Sequence, residues 1–408
     1  MSFCLRRPYA RIAAAAWLLV LALTLAACAY VRVPGATRAP QVVPPPVLAP
    51  VAPQAIAPEA VPTGPGGKVT VAMLLPLTGP SGQLGEAMLD AAQMALFDLA
   101  SDQVELVTGD TKGTAEGASA AAQQAIGQGA QIIFGPLLAG EVGAVKPIAQ
   151  SAHVPVIAFS TDATLAGGGV YLMGFLPSEE VARVTAYAHA QGHNRFAVLA
   201  PSTPYGQVAA DAVKAAVAAA GATVSRVEFY DPGLGSMATA VKAFAAEGVD
   251  YDALFLPEGG ARLKVLAPQL PYFKIDPDQV KFLGTGLWDD PGLGTEPSLD
   301  GGWYAAPDPQ SRAAFEQRFA QLYRHAAPRL ATLGYDAMAL AAVLAKAPQG
   351  ADFSDAAITS ANGFSGLDGI FRFRANGLVQ RGLAVLEVQH NGDGIIDPAP
   401  QSFQSLNY

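Results

Sequence analysis

The spacing of apolar residues changes several times along this chain, and each change marks a boundary. Ala13 to Ala26 is an apolar run broken only by Thr24, preceded by Arg6, Arg7 and Arg11. From Ala29 to about Gly67 no period survives, and prolines recur in Pro44-Pro45-Pro46, Ala49-Pro50 and Ala57-Pro58. At Lys68 a folded pattern begins. Val69-Thr70-Val71-Ala72-Met73-Leu74-Leu75 predicts a buried strand, because a short β-branched and apolar run bounded by a turn suits a sheet covered on both faces. Met88, Ala92, Ala95, Leu96 and Leu99 then recur at helical spacing.

The alternation persists. Strands are predicted at 104–107, 131–134, 155–159, 196–199, 253–256 and 281–283, with helices between them, including Ala115 to Gln128. Ser178 is the expected N-cap of a helix carrying Glu179 and Glu180 in its first turn. Ser236 is expected to cap another. Two further helices, about Ser311 to His325 and Thr332 to Leu344, precede two late runs, 370–373 and 383–388, separated by Asn376-Gly377. These read as a pair of strands added to one existing sheet. Strands separated by helices imply right-handed βαβ units and parallel sheets covered on both faces, and their number suits two sheets better than one. The expected fold is therefore α/β, with two mainly parallel sheets.

Composition narrows the function. The chain is 51% hydrophobic and 14% charged, enough apolar content for a packed core. With 34 acids against 25 bases and no basic stretch beyond the first residues, nucleic acid is not an expected partner. The run 13–26 is short for a membrane span, and it meets Leu25-Ala26-Ala27-Cys28, which resembles a bacterial lipobox with cleavage before Cys28 and lipid on its thiol. The other of the two cysteines, Cys4, would be lost with the signal. The proline tract behind Cys28 is a semi-extended tether, with a reach on the order of 100 Å.

Enzymatic chemistry finds little support. Gly79, Gly82 and Gly85 do not keep dinucleotide-loop spacing. His189 and His193 are separated by Gly192 and lack further metal ligands. Asn391-Gly392-Asp393-Gly394 fails the calcium-loop pattern, since Gln389 and Pro400 fall at ligand positions, and reads as a turn. No catalytic residue, metal or cofactor is expected.

Leu75-Pro76-Leu77-Thr78-Gly79-Pro80, Phe134-Gly135-Pro136-Leu137 and Pro204-Tyr205-Gly206 follow strands, and with the order of elements they make the chain resemble the type I periplasmic-binding fold of leucine/isoleucine/valine receptors. The resemblance implies lobe 1 at 68–177 plus 306–364 and lobe 2 at 178–305 plus 365–398. The signal peptide would occupy 1–27, the tether 28–67 and a C-terminal tail 399–408. A ligand would lie between the lobes. More narrowly, Phe134-Gly135-Pro136-Leu137-Leu138, the stretch Gly366-Leu367-Asp368-Gly369-Ile370-Phe371-Arg372-Phe373, Asn376-Gly377 with Arg381, and the lipobox are similar to the penicillin-binding protein activators. That likeness implies a non-enzymatic lipoprotein on the periplasmic face of the outer membrane that stimulates a peptidoglycan synthase. The alternative is a solute receptor of an ABC transporter.

The same resemblance places Ala139, Thr164 or else Thr161, and Tyr205 in the cleft; Ser81 and Ser160 are further candidates there, and Glu258, Trp288 and Asp289 lie in nearby loops where they could build a different site. Ala139 stands where amino-acid receptors hold the ligand carboxylate with a serine. The acid that would hold the ligand ammonium falls near Gly286. Two polar groups for a zwitterion are thus expected to be missing.

Overall fold

The computed structural model describes residues 67–405, apart from 100–101, 234, 349 and 391. Cys28, the signal and the proline tract lie outside the described residues.

The first half of lobe 1 runs β1 (Val69–Leu75), α1 (Gly82–Asp98), β2 (Val104–Asp110), α2 (Ala115–Gly127), β3 (Ile132–Phe134), α3 (Ala139–Ser151), β4 (Val156–Ala158) and β5 (Val170–Leu172). Its five strands are parallel, in the order β2-β1-β3-β4-β5. The alternation of a strand explains the layering. On β1, Val71, Met73 and Leu75 enter one core with Met88 and Ala92 of α1. Ala72 and Leu74 enter another with Ala118 and Ala122 of α2. Every β1 residue is buried, as a strand between two helical layers must be.

The chain then crosses to lobe 2, which contains α4 (Pro177–Ala190), β6 (Arg195–Pro201), α5 (Pro204–Ala219), β7 (Thr223–Tyr230), α6 (Met237–Ala246), β8 (Ala253–Phe255), α7 (Gly260–Leu266), α8 (Gln269–Tyr272), β9 (Lys281–Gly284) and β10 (Trp303–Ala306). Ser178 is not the cap of α4. Leu176 takes that place and Pro177 opens the helix, where a missing N–H costs nothing. Ser236 does precede α6, but its hydroxyl donates to the carbonyls of Asp231 and Gly233 instead of accepting from the helix.

A second crossing returns the chain to lobe 1 as α9 (Pro309–Tyr323), α10 (Ala331–Ala345), α11 (Asp355–Ile358), β11 (Phe364–Gly366), β12 (Gly369–Phe373) and β13 (Val379–Arg381). Phe315 and Phe319 of α9 share a core with Ala87 and Met94 of α1. α10 lies so close to α1 that a Cβ on Gly334 would collide with the carbonyl of Met88. The chain finally enters lobe 2 as β14 (Ala384–Glu387) and β15 (Gly394–Asp397), giving the order β15-β14-β10-β9-β8-β6-β7. β14 and β15 are the antiparallel members.

Two expectations are corrected here. The two late runs do not share a sheet: β12 belongs to a small antiparallel sheet with β11 and β13, and β14 joins lobe 2. The third crossing falls between Arg381 and Ala384, later than the expected 364/365 boundary, because Phe371, Phe373 and Val379 are buried in the lobe 1 core. The expected turn at 391–394 lies in the connection between antiparallel β14 and β15, where the Gly392 N–H donates to the Gln389 carbonyl at 3.2 Å, and Gly394 opens β15. The expected tail is also anchored, since Phe403 is buried beneath the guanidinium of Arg372, 4.5 Å from its ring centre.

Candidate functional site

A cavity of about 680 Å³ lies between the lobes. It opens at the carboxyl ends of the parallel strands, where loops bring polar groups together in folds of this type. Lobe 1 contributes Ser81 and Leu84 from the start of α1, Leu137 to Ala139 before and at the start of α3, Phe159 to Asp162 after β4, and Arg329 and Leu330 before α10. Glu180 of α4, Tyr205 of α5, Gly286, Leu287 and Asp289 after β9, and Ala306 and Pro307 at the end of β10 form the opposite wall.

Six of the nine expected cleft residues line this cavity: Ser81, Ala139, Ser160, Thr161, Tyr205 and Asp289. Thr164, Glu258 and Trp288 are not among the lining residues. Thr164 donates to Asp162 at 2.7 Å within its own short turn. Glu258 is buried, accepting from Tyr230 at 3.0 Å and pairing with Arg262 at 3.1 Å. Trp288 is wholly buried, and its indole N–H donates to the carbonyls of Leu256 and Glu258 at 3.2 and 3.1 Å. It lies over Gly284, whose missing side chain leaves room for the ring. Both are packing residues of lobe 2.

The expected gap at Gly286 is filled from elsewhere. A Cβ on Gly286 would run into the Glu180 carboxylate, which comes from α4 to occupy that space. Glu180 Oε2 accepts from the Gly286 N–H at 2.8 Å. The residue is only 6% exposed. Burial is the main cause that pushes its pKa up to about 8, against the opposing pull of the Gly286 N–H and Arg329. Tyr205, bonded to Thr285 Oγ1 at 2.8 Å, stands near it, and its own pKa is raised by burial and by the Glu180 charge. The sequence carried no direct mark of this arrangement, because an acid in a first helical turn is ordinary. The only clue was the pair of glycines, Gly284 and Gly286, which leave space for other residues.

Across the cavity, Ala139 presents a methyl group. The α3 N-terminus is served by the chain's own carboxylate: Glu141 accepts from Leu138 N–H at 3.0 Å and from Thr111 Oγ1 at 2.5 Å.

Arg329, also missed in the sequence, is the one cation among the lining residues, and its donors are already engaged. Nε donates to Asp289 at 3.0 Å, while the terminal nitrogens reach Thr332 at 3.0 Å and Asp368 at 2.9 Å. Arg312 holds the other oxygen of Asp289 at 2.8 Å. Asp289 of lobe 2 is thereby gripped by two arginines of lobe 1. Behind them Arg381 is fully buried, donating to the Met173 carbonyl at 2.5 Å with its guanidinium 4.7 Å from the Phe175 ring centre. The same ring carries Arg329 at 4.4 Å. Burial and the Asp368 charge raise the pKa of Asp336, which accepts from the Leu367 N–H at 2.7 Å.

Among the described residues no group of histidines, cysteines and acids is arranged to hold a metal ion.

Comparison with known proteins agrees with this architecture. The family model described as "Periplasmic binding protein" matches residues 68–393. A Leu/Ile/Val-binding protein of Rhizobium johnstonii is 27% identical over 215 residues, 50% of this chain and 58% of the relative. An uncharacterised protein of Rickettsia prowazekii is 20% identical over 217 residues and is likewise matched over 58% of its length. The crystal structure of a putative branched-chain amino acid ABC transporter protein from Rhodospirillum rubrum superposes with a TM-score of 0.71 at 19% identity, covering 81% of this chain and 100% of the other. With two lobes built on mainly parallel sheets, three crossings and a cavity between them, the chain belongs to the periplasmic binding protein family.

Proposed function

We propose that this protein is a solute-binding receptor of the kind that serves ABC-type transporters, taking a small organic ligand between its lobes. The observation that carries this reading is the cavity itself. It is mostly apolar, has a few convergent hydroxyl and charged groups, and draws its walls from both lobes, as a site that closes by hinge motion requires. The Rhizobium relative is named for binding leucine, isoleucine and valine. Ala139 weakens the case for those same ligands, because a carboxylate there meets a methyl group in place of a hydroxyl. The ligand is expected to be a different small molecule.

Thermal melting of the full-length protein against a library of amino acids, amines and aromatic acids tests the proposal. At least one member should raise the melting temperature by several degrees, and Ala139→Trp, which fills the cavity, should abolish the shift. No responding ligand, or a response that survives Ala139→Trp, would remove the cleft as the site.

The second reading, activation of a penicillin-binding protein from the outer membrane, stands on Cys28 and on the stretch Gly366 to Phe373. In the fold that stretch is committed to packing: Phe371 and Phe373 are buried and Asp368 pairs with Arg329. These contacts mark it as a structural signature more than as a partner surface. Stimulation of a purified peptidoglycan synthase by this protein, with no solute added, would favour regulation over transport.

A further inference from the structure

The receptor reading leaves the ligand's chemistry open, and the cavity wall bears on it. We infer that the cleft selects an organic cation, an amine with an apolar body and no carboxylate, and that Glu180 is its counter-ion. This inference rests on the receptor reading.

Glu180 has one oxygen bonded to the Gly286 N–H. Its other oxygen has no hydrogen-bond partner among the described residues, although the side chain is more than nine-tenths buried and lines the cavity. A buried carboxylate with a spare oxygen is costly, and a ligand cation repays that cost where neutral solutes do not. Among the ionisable groups on the wall, Asp289 and Arg329 pair with each other, which leaves Asp162 and Glu180 as the acids that form no salt bridge among the described residues. Arg329 is spent on Asp289, Asp368 and Thr332, so it has little to offer a ligand anion. On the opposite wall the serine that would meet a carboxylate is replaced by Ala139, and the adjoining helix start already holds Glu141.

A second cavity of about 770 Å³ adjoins this one. It shares Ser81 and Leu84 with the first and carries Glu86 and Asp90, with His325 beside Asp90.

The test is a matched series on one carbon skeleton, titrated calorimetrically into the full-length protein at pH 8.5: 3-methylbutylamine, leucine and 4-methylpentanoate. The amine should bind about tenfold or more tighter than leucine, with the acid weakest. Glu180→Gln keeps the size of the side chain and an acceptor for Gly286. It should weaken amine binding at least about tenfold while leaving the melting temperature at or above that of the parent. Tighter binding of leucine or of 4-methylpentanoate overturns the cation and leaves the receptor standing. So does an amine affinity unchanged in Glu180→Gln. No binding by these three, nor by benzylamine and benzoate, removes the receptor reading together with the inference.

Discussion

Of the helices that begin at the cleft, one from each lobe carries a buried glutamate in its first turn or just beyond. Glu141 of α3 and Glu180 of α4 are alike in sequence setting, yet the fold uses them differently. Both oxygens of Glu141 are bonded within the chain, to Leu138 N–H and Thr111 Oγ1. Glu180 has one bond, to Gly286 N–H, and its remaining capacity faces the cavity. A satisfied buried carboxylate stabilises the fold around it, whereas a half-satisfied one is an open valence that the fold tolerates. Asp289, a third carboxylate in the cleft, sits at the satisfied extreme, between two arginines.

That ordering sets the sizes of the expected effects. Asp289→Ala should be the most damaging substitution, because it takes from Arg312 and Arg329 the carboxylate they share and leaves Arg312 only Glu316, and Arg329 only Asp368 and Thr332. A loss of about 3 kcal/mol is expected, the low end for breaking a buried pair on one side, because those partners remain. Urea unfolding would measure it. A loss below about 1 kcal/mol would show that the two arginines find solvent or other partners on their own.

Glu141→Leu comes next. It removes two hydrogen bonds to a charged acceptor and leaves the Leu138 N–H without its cap, for a loss of about 2–3 kcal/mol. The same unfolding experiment reads it. If Glu141→Leu were neutral while Glu180→Leu was strongly destabilising, the roles assigned to the two glutamates would have to be exchanged.

Much of the scaffold behind this comparison was legible in the sequence. The continuous apolar run of β1 and the helical stripe of α1 announced a strand buried on both faces beside a packed helix, and both are there. The resemblance pointed to a threonine in the loop after β4, Thr164 or else Thr161, and Thr161 is the one that lines the cavity. The failures share a cause. β11, Phe364–Gly366, is short and only partly buried, so it lacks the continuous apolar run that made the equally short β3, β4 and β8 legible. The pairing of Phe371 and Phe373 with lobe 1 is a long-range packing choice, invisible in local pattern. Trp288 and Glu258 looked like site residues because aromatics and acids in loops often are. In the fold each is satisfied by lobe 2 itself, the indole N–H by two carbonyls and the carboxylate by Tyr230 and Arg262. Glu180 and Arg329 were missed because burial, the property that makes them unusual, is settled only when the lobes meet.

The mildest change separates the two glutamates most cleanly, because its sign depends on pH. The ordinary glutamate value is 4.5, and in the folded protein Glu180 is held at about 8, chiefly by burial. Below pH 4.5 the group is protonated in both folded and unfolded chains and contributes no difference. Between 4.5 and about 8 the unfolded chain releases its proton while the folded protein keeps it, so stability falls as pH rises. Above that range the penalty is complete and constant. The charges facing Glu180 are Arg329 and Arg381, which favour ionisation, and Asp289, which opposes it, with the Gly286 N–H donating to one oxygen. Glu180→Gln removes the titration and retains an acceptor for that N–H. The variant should match the parent near pH 4 and become more stable than it as pH rises to 8.5. Access of water to the cavity-facing oxygen limits the gain to about 1–2 kcal/mol. Melting curves of parent and variant at pH 4, 6 and 8.5 would show the gap opening. A gap of the same size at all three values would mean that Glu180 titrates like any exposed glutamate, and the contrast with Glu141 would then rest on hydrogen bonding alone.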